Sequence, residues 1–120
     1  MKHENLTRIV EELAAGYDDA ARTDEGQKTM VRLPRIIFPD GCNPNETSAL
    51  VVLDEQQPVP QLFIKQVPTL PNGGPPRSVS VVSIAGETWN TFSFNQPWDE
   101  NTHTAIQFVE GRLRRFALNE

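Results

Sequence analysis

This chain of 120 residues is short of several things that would point to particular chemistries. It has one cysteine, Cys42, so no internal disulfide can form, which fits a reducing compartment. Its two histidines, His3 and His103, lie far from each other and from Cys42, so no ligand pair at zinc spacing is present and no metal or other cofactor is expected. No apolar run approaches the ~20 residues that cross a bilayer. The start, MKHENLTRIVEEL, lacks the apolar core of a secretory signal. A cytoplasmic protein that does not enter a membrane is the expectation.

Basic residues are also outnumbered. Eleven Lys and Arg against sixteen Asp and Glu give a net charge of −5, which repels phosphate backbones and anionic lipid. A nucleic-acid partner is therefore not expected. The one basic cluster, Arg112, Arg114 and Arg115, falls in the last turns of an expected helix, where cations complement the carbonyl end. Length allows one domain, residues 1–120, with a modest core.

What is present is a clear change of period. Leu6, Ile9, Val10, Leu13, Ala14 and Tyr17 recur at helical spacing, and the polar stretch DDAARTDEGQK, with Gly26, reads as the end of that helix or a loop. From Thr29 onward come short runs rich in β-branched and aromatic residues: MVRLPRIIF, SALVVLDE, VPQLFIKQV, VSVVSIAG and TWNTFSF. Between them, PDGCNPNE, EQQPVP and LPNGGPP combine proline with residues that tolerate positive φ. Helical spacing returns at Ile106, Val109, Leu113, Phe116 and Ala117, with Asp99, Asn101 or Thr102 as capping candidates. The fold class expected is α+β: an N-terminal helix, a four-stranded antiparallel meander and a C-terminal helix.

The segment Gly86–Leu113, GETWNTFSFNQPWDENTHTAIQFVEGRL, resembles the active-site stretch of ubiquitin-conjugating enzymes. Gly86, Trp89 and Trp98 take the glycine, cysteine and tryptophan places. Over Leu33–Leu118 the chain is similar to a bacterial family of ubiquitin-conjugating-enzyme-like proteins, through Gly86, Trp89, Ser93, Phe94 and Trp98. That resemblance implies a UBC-like fold and a partner that is a ubiquitin-like protein or its activating or deconjugating enzyme. It also implies that the first helix carries the face that meets an activating enzyme.

The chemistry of thioester transfer needs a thiolate and an oxyanion donor. A tryptophan holds the thiol position, and Pro71 and Asn72 echo only part of the upstream histidine-proline-asparagine element. Asn72 precedes Gly73, a turn signal. Cys42 could substitute as nucleophile, but Asp40 and Glu46 beside it in an expected exposed loop raise a thiol pKa. Ser93, His103 and Asp99 have the residue types of a triad without a nucleophile-elbow pattern. The expectation is a non-catalytic interaction domain of a bacterial ubiquitin-like system. Trp89, Phe92, Phe94 and Trp98 are its binding candidates, either packed as core anchors or presented as an aromatic surface. The alternatives are a divergent conjugating enzyme using Cys42 and an unrelated α+β binding or immunity-type domain.

Overall fold

A computed structural model describes residues 1–92 and 96–120 of the chain. Its elements run α1 (His3–Gly16), β1 (Ala21–Glu25), β2 (Lys28–Ile37), β3 (Glu46–Asp54), β4 (Gln61–Ile64), β5 (Val79–Ile84), β6 (Glu87–Phe92) and α2 (Ala105–Ala117). Among the described residues no helix is long and apolar enough to cross a membrane.

Both helices form where apolar residues share a face. α1 buries Leu6, Ile9 and Leu13, and Tyr17 follows it with its backbone N–H donating to the Leu13 carbonyl at 3.0 Å. α2 begins with a reciprocal cap. The Thr104 hydroxyl accepts from the Gln107 N–H at 3.1 Å, and the Gln107 side chain accepts from the Thr104 N–H at 2.8 Å. The helices lie side by side and are tied by Glu12, whose carboxylate accepts from Arg8 at 3.1 Å and from the Ala105 N–H at 2.9 Å. They meet closely at Gly16, where a Cβ would come 2.4 Å from Ile106 Cδ1.

The four-stranded meander expected from the sequence is corrected to a six-stranded antiparallel sheet of order β1-β2-β3-β4-β6-β5. Of the two further strands, one is the fifth β-rich run, which the expectation of four left out, and the other, β1, comes from the polar stretch read as a loop. Its ARTDE sequence is exposed throughout, so it carries no apolar alternation to announce it. Pairing with β2 and the turn at Gly26 (φ +63) make it a strand. Gly26 thus turns a hairpin rather than ending α1, which stops ten residues earlier at Gly16. β5 and β6 form a second hairpin closed by Ala85 (φ +51) and Gly86 (φ +81), a pair of positive φ values that matches strand twist. β6 then inserts between β4 and β5, with Phe63 opposite Thr91 and Val82 opposite Trp89. β2 carries an irregularity between Leu33 and Ile36, where Pro34 supplies no backbone donor.

β3 is the middle of this arrangement, and its continuous run Ala49–Leu53 is buried on both sides. On one side Ala49, Val51 and Leu53 join Val31, Leu33, Leu62, Ile64 and Phe92 beneath the helices, together with Phe108, Val109 and Phe116 of α2. On the other side Leu50 and Val52 join Met30, Phe63 and Trp89. Each such side chain taken from water contributes about 1.5–3 kcal/mol.

Candidate functional site

The second cluster needs a cover, since both helices lie against the opposite face. The register shows which residues share its side. Thr23 stands opposite Met30, Met30 opposite Val52, Leu50 opposite Phe63, Phe63 opposite Thr91, and Val82 opposite Trp89. A cavity of about 450 Å³ on this side is lined by Glu25 and Lys28 at the β1–β2 hairpin, by Met30 and Phe63, and by Val82 and Ile84 of β5. A second, of about 370 Å³, shares Met30 and Ile84 and adds Thr23, Arg32, Glu87 and Trp89. β1 and β5 stand at opposite ends of the strand order, yet residues of both hairpins line both cavities. The sheet is therefore curled into a cup, its two edges facing each other across the opening.

Trp89 is the anchor of the cup and is 0% exposed. The Arg32 guanidinium lies 5.3 Å from its ring centroid and the Lys65 ammonium 4.7 Å. Both cations are held from elsewhere: Arg32 is ion-paired with Glu87, and Lys65 donates to the Thr88 carbonyl at 2.9 Å. Cations placed over an indole contribute about 0.5–2 kcal/mol each, and their stems also exclude water from the ring. Among the described residues the buried indole N–H has no hydrogen-bond partner. Such a donor costs about 1–3 kcal/mol of desolvation.

The other sequence candidates do not converge here. Phe92 faces the helices, its ring 5.0 Å from that of Phe116. Trp98 is partly buried before α2. Its indole N–H donates to the Thr104 carbonyl at 2.9 Å and its ring meets Phe108 edge-on at 5.7 Å, so it braces the start of the helix. Phe94, like Ser93, lies outside the described residues.

Cys42 departs from the exposed loop expected of it. It is 6% exposed and belongs to the core beneath the helices, so the sheet separates it from Trp89. The loop folds inward because Asn43 and Thr69 exchange backbone hydrogen bonds at 3.0 and 2.7 Å and the Cys42 N–H donates to Pro39. Burial pushes the Cys42 thiol above its ordinary pKa, which leaves it protonated at neutral pH. His103 is likewise engaged, its Nδ1 accepting from the Asp99 N–H at 2.8 Å in the turn before α2. Among the described residues no group of three or more His, Cys, Asp or Glu is placed to hold a metal ion.

Reading the sequence missed Met30, Leu50, Val52 and Phe63 as a second cluster. Their signal was the unbroken LVVL of β3 and LFI of β4, where a sheet with one wet face alternates. Comparison with protein-family models, with curated proteins and with solved structures yields no match for this chain.

Proposed function

We propose that this chain is a non-catalytic protein-interaction domain whose contact surface is the cupped face of the sheet. The observation that carries this reading is the apolar cluster of Met30, Leu50, Val52, Phe63 and Trp89, gathered on the side away from the helices and opening into cavities of about 450 and 370 Å³. A floor of that kind, rimmed by Glu25, Lys28, Arg32 and Glu87, is the arrangement of an interface, with aromatic and aliphatic anchors inside and polar groups around them. The resemblance over Leu33–Leu118 supplies the partner class: a ubiquitin-like protein, or its activating or deconjugating enzyme. The tryptophan at the thiol position supports a binding role over a transfer role, because an indole offers no nucleophile.

The test is a titration of the isotope-labelled chain with a bacterial ubiquitin-like protein and with an activating enzyme for such a protein. Resonances of the Trp89 indole N–H and of the Met30, Val82 and Ile84 amides are expected to shift. Shifts confined to α1 would move the surface to the helix. No shift with either protein at about 1 mM removes the partner class, since that concentration populates even complexes near −4 kcal/mol.

A further inference from the structure

The mouth of the cup is bounded by two strand edges. Among the described residues neither β1 nor β5 has a further strand paired to it. The two edges differ in kind. β1 carries Arg22, Asp24 and Glu25, charges that discourage another chain from pairing. β5, Val79–Ile84, contains only valine, serine and isoleucine, with neither charge nor proline. Its hairpin fixes which backbone groups look outward. Ile84 and Glu87 close a two-residue turn and so exchange hydrogen bonds. The alternation of an antiparallel pair then turns the N–H and C=O groups of Val79, Val81 and Ser83 away from β6.

We infer that an extended, uncharged segment of a partner polypeptide enters between β1 and β5 and adds to β5 as a seventh strand. The inference rests on reading the cup as a protein contact surface and specifies how that contact is made. A row of alternating donors and acceptors at Val79, Val81 and Ser83 is matched by another backbone, not by an apolar small molecule. Side chains of the added strand alternate in direction. Those turned into the cup lie over Met30, Val82 and Ile84, and those turned the other way meet Val81, which is 69% exposed.

Charge selects against other occupants. Glu25 stands in register opposite Lys28 and Arg32 is ion-paired with Glu87, so these rim charges offset one another and Lys65, tied to the Thr88 carbonyl over Trp89, leaves the cup weakly positive, which suits a segment with little charge.

The test uses the full chain and a fluorescein-labelled octapeptide of alternating valine and threonine. Weak binding is expected, with a dissociation constant of about 10–500 µM. It should be accompanied by roughly tenfold or greater slowing of amide hydrogen exchange at Val81 and Ser83. The same peptide N-methylated at alternate residues should not bind. Val81→Pro removes one outward donor while sparing the β5–β6 ladder. It should keep the melting temperature within a few degrees and weaken binding at least ~tenfold. Val82→Lys, which puts a charge into the cup, should weaken binding comparably if Val81→Pro unfolds the edge.

Equal binding by the N-methylated peptide or by both variants overturns strand addition. So does occupation of the cup by the dye anilinonaphthalene sulfonate without any peptide binding. A dimer in sedimentation that Val81→Pro abolishes overturns it in favour of a second copy. If the peptide adds to β5 but neither the ubiquitin-like protein nor the activating enzyme binds, strand addition stands and the partner class falls. If either protein binds the cup with no change at Val81 and no response to Val81→Pro, the contact surface stands and strand addition falls.

Discussion

The Lys65 ammonium lies 4.7 Å from the centroid of the Trp89 ring, on the sheet face opposite both helices. A charged side chain is thus used as a lid on the largest residue of the cup, with its nitrogen tied to the neighbouring Thr88 carbonyl.

Truncating that indole should be costly. Trp89→Ala is expected to lose about 3–5 kcal/mol in denaturant unfolding, because the ring is fully buried and its neighbours cannot all collapse inward. Trp89→Phe should lose clearly less, since it keeps an aromatic ring and removes the unpartnered N–H. Equal losses would show that the N–H is satisfied in solution.

How much of this could be read from the chain depends on which forces leave a mark in sequence. The two helices were legible because a 3.6-residue period survives whatever they pack against: α1 and α2 lie over the Leu6–Tyr17 and Ile106–Ala117 patterns. Each of the five β-rich runs holds a strand for a similar reason, one more than the four-stranded meander expected of them. β1 was not legible, since an edge strand exposed on both faces needs no apolar residue. Nor was the placing of β6 between β4 and β5, which is a tertiary choice. Cys42 was misplaced because its sequence neighbours are polar, while the contact that draws it inward comes from Thr69. Trp89 drew attention as a residue, but the cup around it needs the curl of a whole sheet.

Cys42 should behave as a core residue. Its thiol is expected to react with a disulfide reagent far more slowly in the native chain than in denaturant. Cys42→Ser should cost about 1–3 kcal/mol by burying a hydroxyl, and Cys42→Ala less. Neither should alter binding at the cup. A reducible adduct with a ubiquitin-like protein, formed by wild type and lost in Cys42→Ser, would reinstate a transfer role.

Tyr17 is the single tyrosine, so its ionisation can be followed by phenolate absorbance without interference. Burial, with a smaller contribution from Glu110, raises its pKa from 10.0 to about 12. The unfolded chain therefore releases this proton first. The stabilisation is complete below pH 10 and disappears as pH climbs toward 12. Absorbance should titrate near the upper value in native protein and near the lower one in denaturant. Glu110→Gln should lower the native midpoint slightly.

The cap of α2 offers a separate check on the helix pair. Thr104→Ala removes the acceptor for the Gln107 N–H and should cost about 1 kcal/mol. Glu12→Ala should cost a similar amount or more, because it takes the acceptor from the Ala105 N–H and the ion pair from Arg8, which keeps its bonds to the Glu100 and His103 carbonyls. The two losses should fall short of additivity in a double mutant, both groups serving the same helix start.

The insertion of β6 between β4 and β5 also orders events while the chain is being made. β5 leaves the ribosome before β6, yet among the described residues the sheet holds no neighbour for it except β6. Until Phe92 has emerged, the growing sheet can extend only from β1 to β4, and the uncharged Val79–Ile84 run must wait unpaired in solution. In the finished sheet the hairpin is joined to β4 only through the short β4–β6 pairing at Phe63 and Ile64, among the described residues. An uncharged edge stretch is thus made before the strand it pairs with, and until that partner has been made it is open to wrong pairing.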